Sequence, residues 1–179
     1  MANYNTYTSL GIDTKIKFIQ DALHAHLGFS NVDFYGRVQK SLNKDLKTFI
    51  PEVHISKLDR KEVYYDDRNA PGGNVFFIEE DDKHTTNDGM VFVAKVKIVF
   101  MLNLDKIYPD ESTREDTKVQ DHCLKLVRKL RILEVKAIEK GVFNVLKGFN
   151  TDNIKLHDMQ PYHIFSINGE LKYQFNCNH

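Results

Sequence analysis

Two cysteines and eight histidines are the side chains best suited to ligate a metal or attack a substrate, and their spacing limits what they could do. His24 and His26 stand two apart, so on a helix they diverge by about 200° and cannot share an ion. His122-Cys123 and Cys177-Asn-His179 would converge only if the tail packed against a second helix, and neither has the ligand spacing of a zinc site. Glu79, Glu80, Asp81 and Asp82 lack the alternating oxygen ligands and the closing glutamate of a calcium loop. Gly72-Gly73 has neither the pattern of a dinucleotide turn nor the Lys-Ser or Lys-Thr that follows a phosphate loop. The serines stand in no nucleophile-elbow context. The expectation is therefore a chain with no catalytic residue, no cofactor and no metal. One enzymatic alternative remains, a hydrolase or nuclease built on His54, Asp66, Asp67 and the acidic run.

At 179 residues, with 41% hydrophobic and 28% charged side chains, the chain can bury one core without disulfide staples. Lys plus Arg and Asp plus Glu number 25 each. That balance argues against a general nucleic-acid binder, which needs a net basic face to displace counterions, but it leaves room for a local basic patch. No stretch approaches the roughly 18 consecutive apolar residues of a membrane span, and the N-terminus has no basic and apolar leader. Cys123 and Cys177 fit a reduced compartment, with Cys123 on an apolar helical stripe as an inert buried thiol.

The elements that must hold these residues are organised around Met90 to Leu104. Phe92, Ala94, Val96, Ile98, Phe100, Leu102 and Leu104 alternate with a mixed face carrying Lys95, Lys97 and Asn103, which predicts a long strand with one dry face. At about 3.3 Å per residue it is longer than an ordinary strand, so it is expected to project past its sheet and to need a partner, in part from another copy of the chain. A polar arm over 1–12 precedes a single domain over 13–179. Ile16, Ile19, Leu23 and Leu27, closed by Gly28, predict a helix over 14–27. Strands are expected over 31–36, 53–55, 62–65 and 75–78, with a further strand over 153–156; over 37–50 Val38, Leu42 and Leu46 suit a helix and Asn43-Lys44-Asp45 a turn between two strands, of which the extended reading is favoured. Ser112-Thr-Arg-Glu115 matches a capping box. It opens a helix with Val119, Cys123, Leu126, Val127 and Leu130 on one face, ending between 130 and 140. Val142 to Leu146, set off by Gly141 and Gly148, suggest a short helix or a tucked loop. Ile164 to Ile167 and Leu171 to Phe175 flank Asn168-Gly169, the sequence of a two-residue hairpin turn. The class is α+β, a mixed, mostly antiparallel sheet with two main helices packed on one face.

More of the sequence points toward other proteins than toward chemistry. Eight tyrosines without a tryptophan fall often beside loops, and tyrosine is favoured at interface anchors, although core filling accounts for some. Lys95 and Lys97, on the wet side of the long strand, could meet the acidic connectors of a neighbouring subunit; equally, they could simply be solvated. The candidate interface is Tyr65, Asp66, Asp67, Arg68, Glu79, Glu80, Lys95 and Lys97.

The order of elements, with the long strand ending in Leu102-Asn-Leu-Asp105, the helix from Ser112 and the closing strands around Tyr162 to Phe175, resembles the tail terminator (tail completion) proteins of tailed bacteriophages. That resemblance implies a non-enzymatic subunit of a homo-oligomeric ring, usually a hexamer, between tail and head. Its partners would be other copies of itself and other phage tail or neck proteins, with no membrane. Its channel could pass DNA without binding it specifically. Its place would be the virion, after synthesis in the bacterial host cytoplasm. The loops at 66–74 and 79–89 would be contact segments by analogy. The alternative is a monomeric module with an apolar pocket for a ligand or peptide.

Overall fold

The computed structural model describes residues 2–4, 10–43, 48–56, 58–64, 72–152, 154 and 158–175. Chain order gives β1 (Asn3–Tyr4), α1 (Ile12–His26), β2 (Val32–Arg37), β3 (Gln39–Asn43), β4 (Thr48–His54), β5 (Arg60–Glu62), β6 (Gly73–Glu79) and β7 (Thr85–Thr86). There follow β8 (Val91–Asn103), α2 (Leu104–Ile107), α3 (Asp116–Leu130), β9 (Leu133–Lys140), α4 (Val142–Val145) and β10 (Tyr162–Gln174). The fold is α+β, a mixed and mostly antiparallel seven-stranded sheet with two long helices packed on it.

The alternation in β8 decides the layers. Its even residues Ala94, Val96, Ile98, Phe100 and Leu102 are buried with Ile16, Ile19 and Leu23 of α1 and with Val119, Cys123 and Val127 of α3. Both helices therefore cover one face, because each presents an apolar stripe at helical spacing. α1 ends as its sequence dictates, with Gly28 at φ 68 just past the last turn, the left-handed position that glycine fills without steric cost. The other face carries Val99 and Met101, packed with Tyr35, Phe76, Val142, Val145 and Ile164. There a second, three-stranded sheet in the order β3-β4-β5 and the short α4 form an additional layer.

The main sheet runs β1-β2-β6-β8-β10-β9, with β7 also on β8. β2 pairs parallel with β1 and β6, and the remaining pairs are antiparallel. The described part of the N-terminal arm thus joins the sheet, held also by Gln20, whose amide donates to Asn3 Oδ1 at 2.7 Å and to the Phe34 carbonyl at 3.2 Å.

Several sequence expectations are corrected here. Asn168-Gly169 does not turn. It lies inside one 13-residue strand, β10, that pairs with all of β8 from Tyr162↔Asn103 to Gln174↔Val91. Glycine is needed for close approach instead: a Cβ on Gly169 would sit 2.5 Å from the Glu134 carbonyl oxygen and 2.8 Å from Leu133 Cγ, beside a register shift between β10 and β9. Because β10 is continuous, β8 is paired along its whole length within its own chain, and its backbone does not wait for another copy. The capping box is not formed either. α3 starts at Asp116, and Glu115 makes no side-chain cap bond but accepts from Thr113 Oγ1 at 2.8 Å. α3 stops at Leu130, with Arg131 left-handed at φ 55, and the next segment is the edge strand β9. Of the extended structure expected over 37–50, β3 and the start of β4 are present, and residues 44–47 lie outside the described residues. The strand expected over 153–156 lies mostly outside the described residues, with only Ile154 placed, and buried.

Candidate functional site

Antiparallel pairing of β6 with β8 sets Ile78 opposite Lys97 and Glu79 opposite Val96. Successive residues point to opposite faces, so Glu79 and Lys97 enter two separate polar clusters on the two sides of the sheet. On the helix side, Arg37 from β2 grips Asp13 of α1 with Nε and Nη2 at 3.0 and 3.2 Å. It also donates to Glu79 Oε2 from Nη1 at 2.6 Å. Burial opposes the guanidinium charge, but the hydrogen bonds and charges of Asp13 and Glu79 outweigh it and raise the Arg37 pKa. The chain continues through His84 Nε2, 2.6 Å from Glu79 Oε1, to a hydrogen bond between His84 Nδ1 and the Tyr173 hydroxyl. This cluster ties α1, β2, β6, the acidic run and β10 together.

On the opposite side, the Lys97 side chain is 8% exposed, with Nζ 2.5 Å from Glu139 Oε2 and 3.3 Å from Glu80 Oε1. Nζ also donates to the Asn144 carbonyl at 3.4 Å. Lys95, two residues earlier on the same face, is 57% exposed and pairs with Asp81 at 2.9 Å. The acidic partners of these lysines therefore come from their own chain, where the sequence left open either a neighbouring subunit or plain solvation. Glu80 and Lys97 are brought together; Glu79 turns away to Arg37. Tyr65, Asp66, Asp67 and Arg68 lie outside the described residues.

A third cluster joins α3 to the start of β10. His163 is 2% exposed. Its Nε2 accepts from the Gln120 amide at 2.8 Å, which leaves the proton on Nδ1, donated to Asp158 Oδ1 at 2.7 Å. Arg114 reaches the same carboxylate oxygen and the Tyr162 carbonyl, each at 3.2 Å. Burial lowers the His163 pKa against the opposing pull of Asp158. A histidine–aspartate pair can activate a nucleophile only if the far ring nitrogen faces one. Here that nitrogen is taken by an amide, so the pair acts as a clamp on the strand.

The remaining candidates resolve into packing. The His24 ring meets Phe34 edge-on, and that of His122 meets Phe29. Burial pushes the Cys123 thiol up, away from the thiolate form that ligation or attack requires. His54 is hydrogen-bonded to Gln39 at 3.1 Å, while its proposed catalytic companions Asp66 and Asp67 fall outside the described residues. Tyr35 is fully buried, stacked on Tyr4 at 4.9 Å, with its hydroxyl accepting from Lys61 at 2.6 Å. Tyrosine here serves the second core more than the surface. Among the described residues no three His, Cys, Asp or Glu side chains converge for a metal, and no helix is long and apolar enough to cross a membrane. A cavity of about 610 Å³ is lined by Glu80, Lys97, Glu139, Lys140 and Lys147 among others, a charged wall and not an apolar ligand pocket.

The sequence matches no protein-family model and no curated protein. The clusters were invisible in the sequence because their members stand far apart, 42 residues for Lys97 and Glu139 and 89 for His84 and Tyr173.

Exposed apolar side chains occur at the Leu42 and Phe49 pair of the small sheet, at Phe143, and at the far end of the β8–β10 ribbon. Gln174 pairs with Val91, so Met90 and Phe175 leave the ribbon side by side. The Phe175 ring lies 5.6 Å from that of Phe92 and over Gly11, where a Cβ would stand 2.9 Å from its Cε1. Leu10, Met90 and Phe175 are 61%, 67% and 58% exposed, an apolar group of the kind that marks contact sites.

Proposed function

We propose that this protein is a structural subunit of a tailed-phage particle, a tail terminator or neck protein that forms a homo-oligomeric ring between tail and head. The observation that carries the reading is the exposed apolar end of the ribbon formed by Leu10, Met90 and Phe175. Support also comes from the element order on which the family resemblance rests, since the long strand β8 passes into the helix α3 and the residues around Tyr162 to Gln174 close the sheet, as one strand in place of the expected hairpin. The interface moves accordingly. Backbone pairing of β8 is complete within the chain, so copies would meet through side chains at the ribbon end and not by adding a strand to β8.

Size-exclusion chromatography with light scattering, followed by mass spectrometry of purified particles, tests this. The expected result is an assembly with a mass near six times 20.8 kDa, weakened to smaller species by Met90→Asp with Phe175→Asp, and the chain found in the particle. A monomer at every concentration together with absence from the particle refutes it.

A further inference from the structure

Formal neutrality hides a segregated charge. Lys15 of α1, Arg131 just past α3 and Lys172 of β10 line one open cavity of about 410 Å³. Arg128 and Lys129 occupy the last turn of α3 beside it. None of these five cations is in a salt bridge among the described residues, although the Lys172 charge acts on Glu134 across the cavity, whereas the lysines of β8 and the acidic run are paired. Glu134 and Glu170, which share the cavity wall, are already held by Lys136 at 2.5 and 3.5 Å. Three cations thus line the cavity with two carboxylates that Lys136 already holds, and Arg128 and Lys129 follow close by on α3, in a chain whose formal net charge is zero. The negative end of the α3 dipole accounts for Arg128 and Lys129. It does not account for Lys15 and Lys172, which arrive from two other elements.

We infer that this patch is a binding site for the phosphate backbone of double-stranded DNA. Half-buried Lys15 and exposed Arg131 and Lys172 around an open cavity, in no salt bridge among the described residues, suit a repeating polyanion, whose phosphates release counterions on binding. Among the described residues the cavity wall contains no aromatic side chain on which a base could stack, so the contact would be to backbone and indifferent to sequence. The inference stands apart from the ring: a chain that binds duplex but stays monomeric keeps it, and a ring that ignores duplex loses it.

Fluorescence anisotropy of a labelled duplex of about 25 base pairs, titrated with the full chain at about 50 and 200 mM NaCl, tests it. For three to four neutralised phosphates the affinity should fall roughly 40- to 150-fold between the two salts. Lys129→Glu with Arg131→Glu should weaken binding at least about tenfold at the lower salt. Lys147→Glu, a charge reversal on the other layer, should leave it unchanged. Circular dichroism and light scattering on each variant hold fold and oligomer constant. The inference is overturned by an absence of binding at the lower salt, by equal loss in Lys147→Glu, by no loss in the double variant, or by polyglutamate competing as well as unlabelled DNA.

Discussion

Lys97 offers the sharpest test of how the second layer is held. Its ammonium is nearly dry, at 8% side-chain exposure, while its partners Glu80 and Glu139 keep 28% and 37%. Removing the ammonium and removing the carboxylates should therefore differ greatly in cost. Lys97→Met keeps an unbranched chain of similar length, abolishes the desolvation of the charge, and returns two carboxylates to water they already touch. Exchanging a buried charge for an apolar side chain in this way is often near neutral, and about 1 kcal/mol or less is expected here. Glu80→Gln with Glu139→Gln instead strands the ammonium with only neutral oxygens, including the Asn144 carbonyl. Breaking a buried pair costs about 3–5 kcal/mol. Discounted for the exposure of the acids and for the amide oxygens that remain as acceptors, about 2–4 kcal/mol is expected. Adding Lys97→Met to that double variant should recover most of the loss.

Urea unfolding followed by far-ultraviolet circular dichroism measures all four proteins, since the chain has no tryptophan, and unchanged slopes would show that only stability moved. Acid adds an independent check. Burial would raise the Glu139 carboxyl, but hydrogen bonds from Lys97 and Asn168 and the Lys97 and Lys147 charges hold it below its ordinary value. A depressed carboxylate stabilises above the unfolded pKa of about 4.3 and loses that contribution as pH falls through the folded value. The gap between wild type and Glu139→Gln should close in that acidic window. Should Lys97→Met cost as much as the double acid variant, the paired ammonium would contribute net stability beyond its desolvation cost, and the reasoning fails.

Gly169→Ala should destabilise by about 1–3 kcal/mol, at the upper end because the new methyl meets the Glu134 backbone as well as a side chain; thermal unfolding reads this, and an unchanged midpoint would contradict the continuous β10. His163, whose pKa burial lowers against the pull of Asp158, should make the folded chain less stable as pH falls below about 6.5, where the unfolded chain takes up a proton more readily than the folded one. Asp158, Arg114 and Asp116 face it, so the test is the difference from His163→Gln, measured by urea unfolding from neutral pH downward. A constant difference would refute the assignment.

Where one residue pattern had one physical meaning, the sequence was readable: the stripe of α1, its glycine stop, the alternation of β8 and the apolar face of α3 are all local. Asn168-Gly169 failed because glycine serves two purposes, positive φ in a turn and missing bulk in a close approach, and only the neighbouring strand distinguishes them. β9 was obscured for a related reason. Its Leu133 and Val135 continue the apolar run of α3, and its outer half is an exposed edge, so the period of two was too short to separate from a helix tail. The pairing of Lys97 could not be read at all, because a lysine on a strand looks the same whether its acid belongs to a neighbour or lies 42 residues along the same chain.

Lys95 and Lys97 together locate the physical boundary on which the functional reading turns. They share a face and a residue type, yet one is 57% exposed and the other 8%, so the second layer must end between them. On the covered side, β8 is buried on both faces and packs Phe100 against Phe165 at 4.7 Å; substitutions there fall on stability. Past the boundary the ribbon keeps α1 on one face while Val91 and Val93 on the other stay partly open. Burial that folding does not use remains free for binding. It is on this half that the apolar end and Lys172 occur. Substitutions there should change what the protein contacts at little cost to its folding, a separation that a subunit needs if it is to be stable before it assembles.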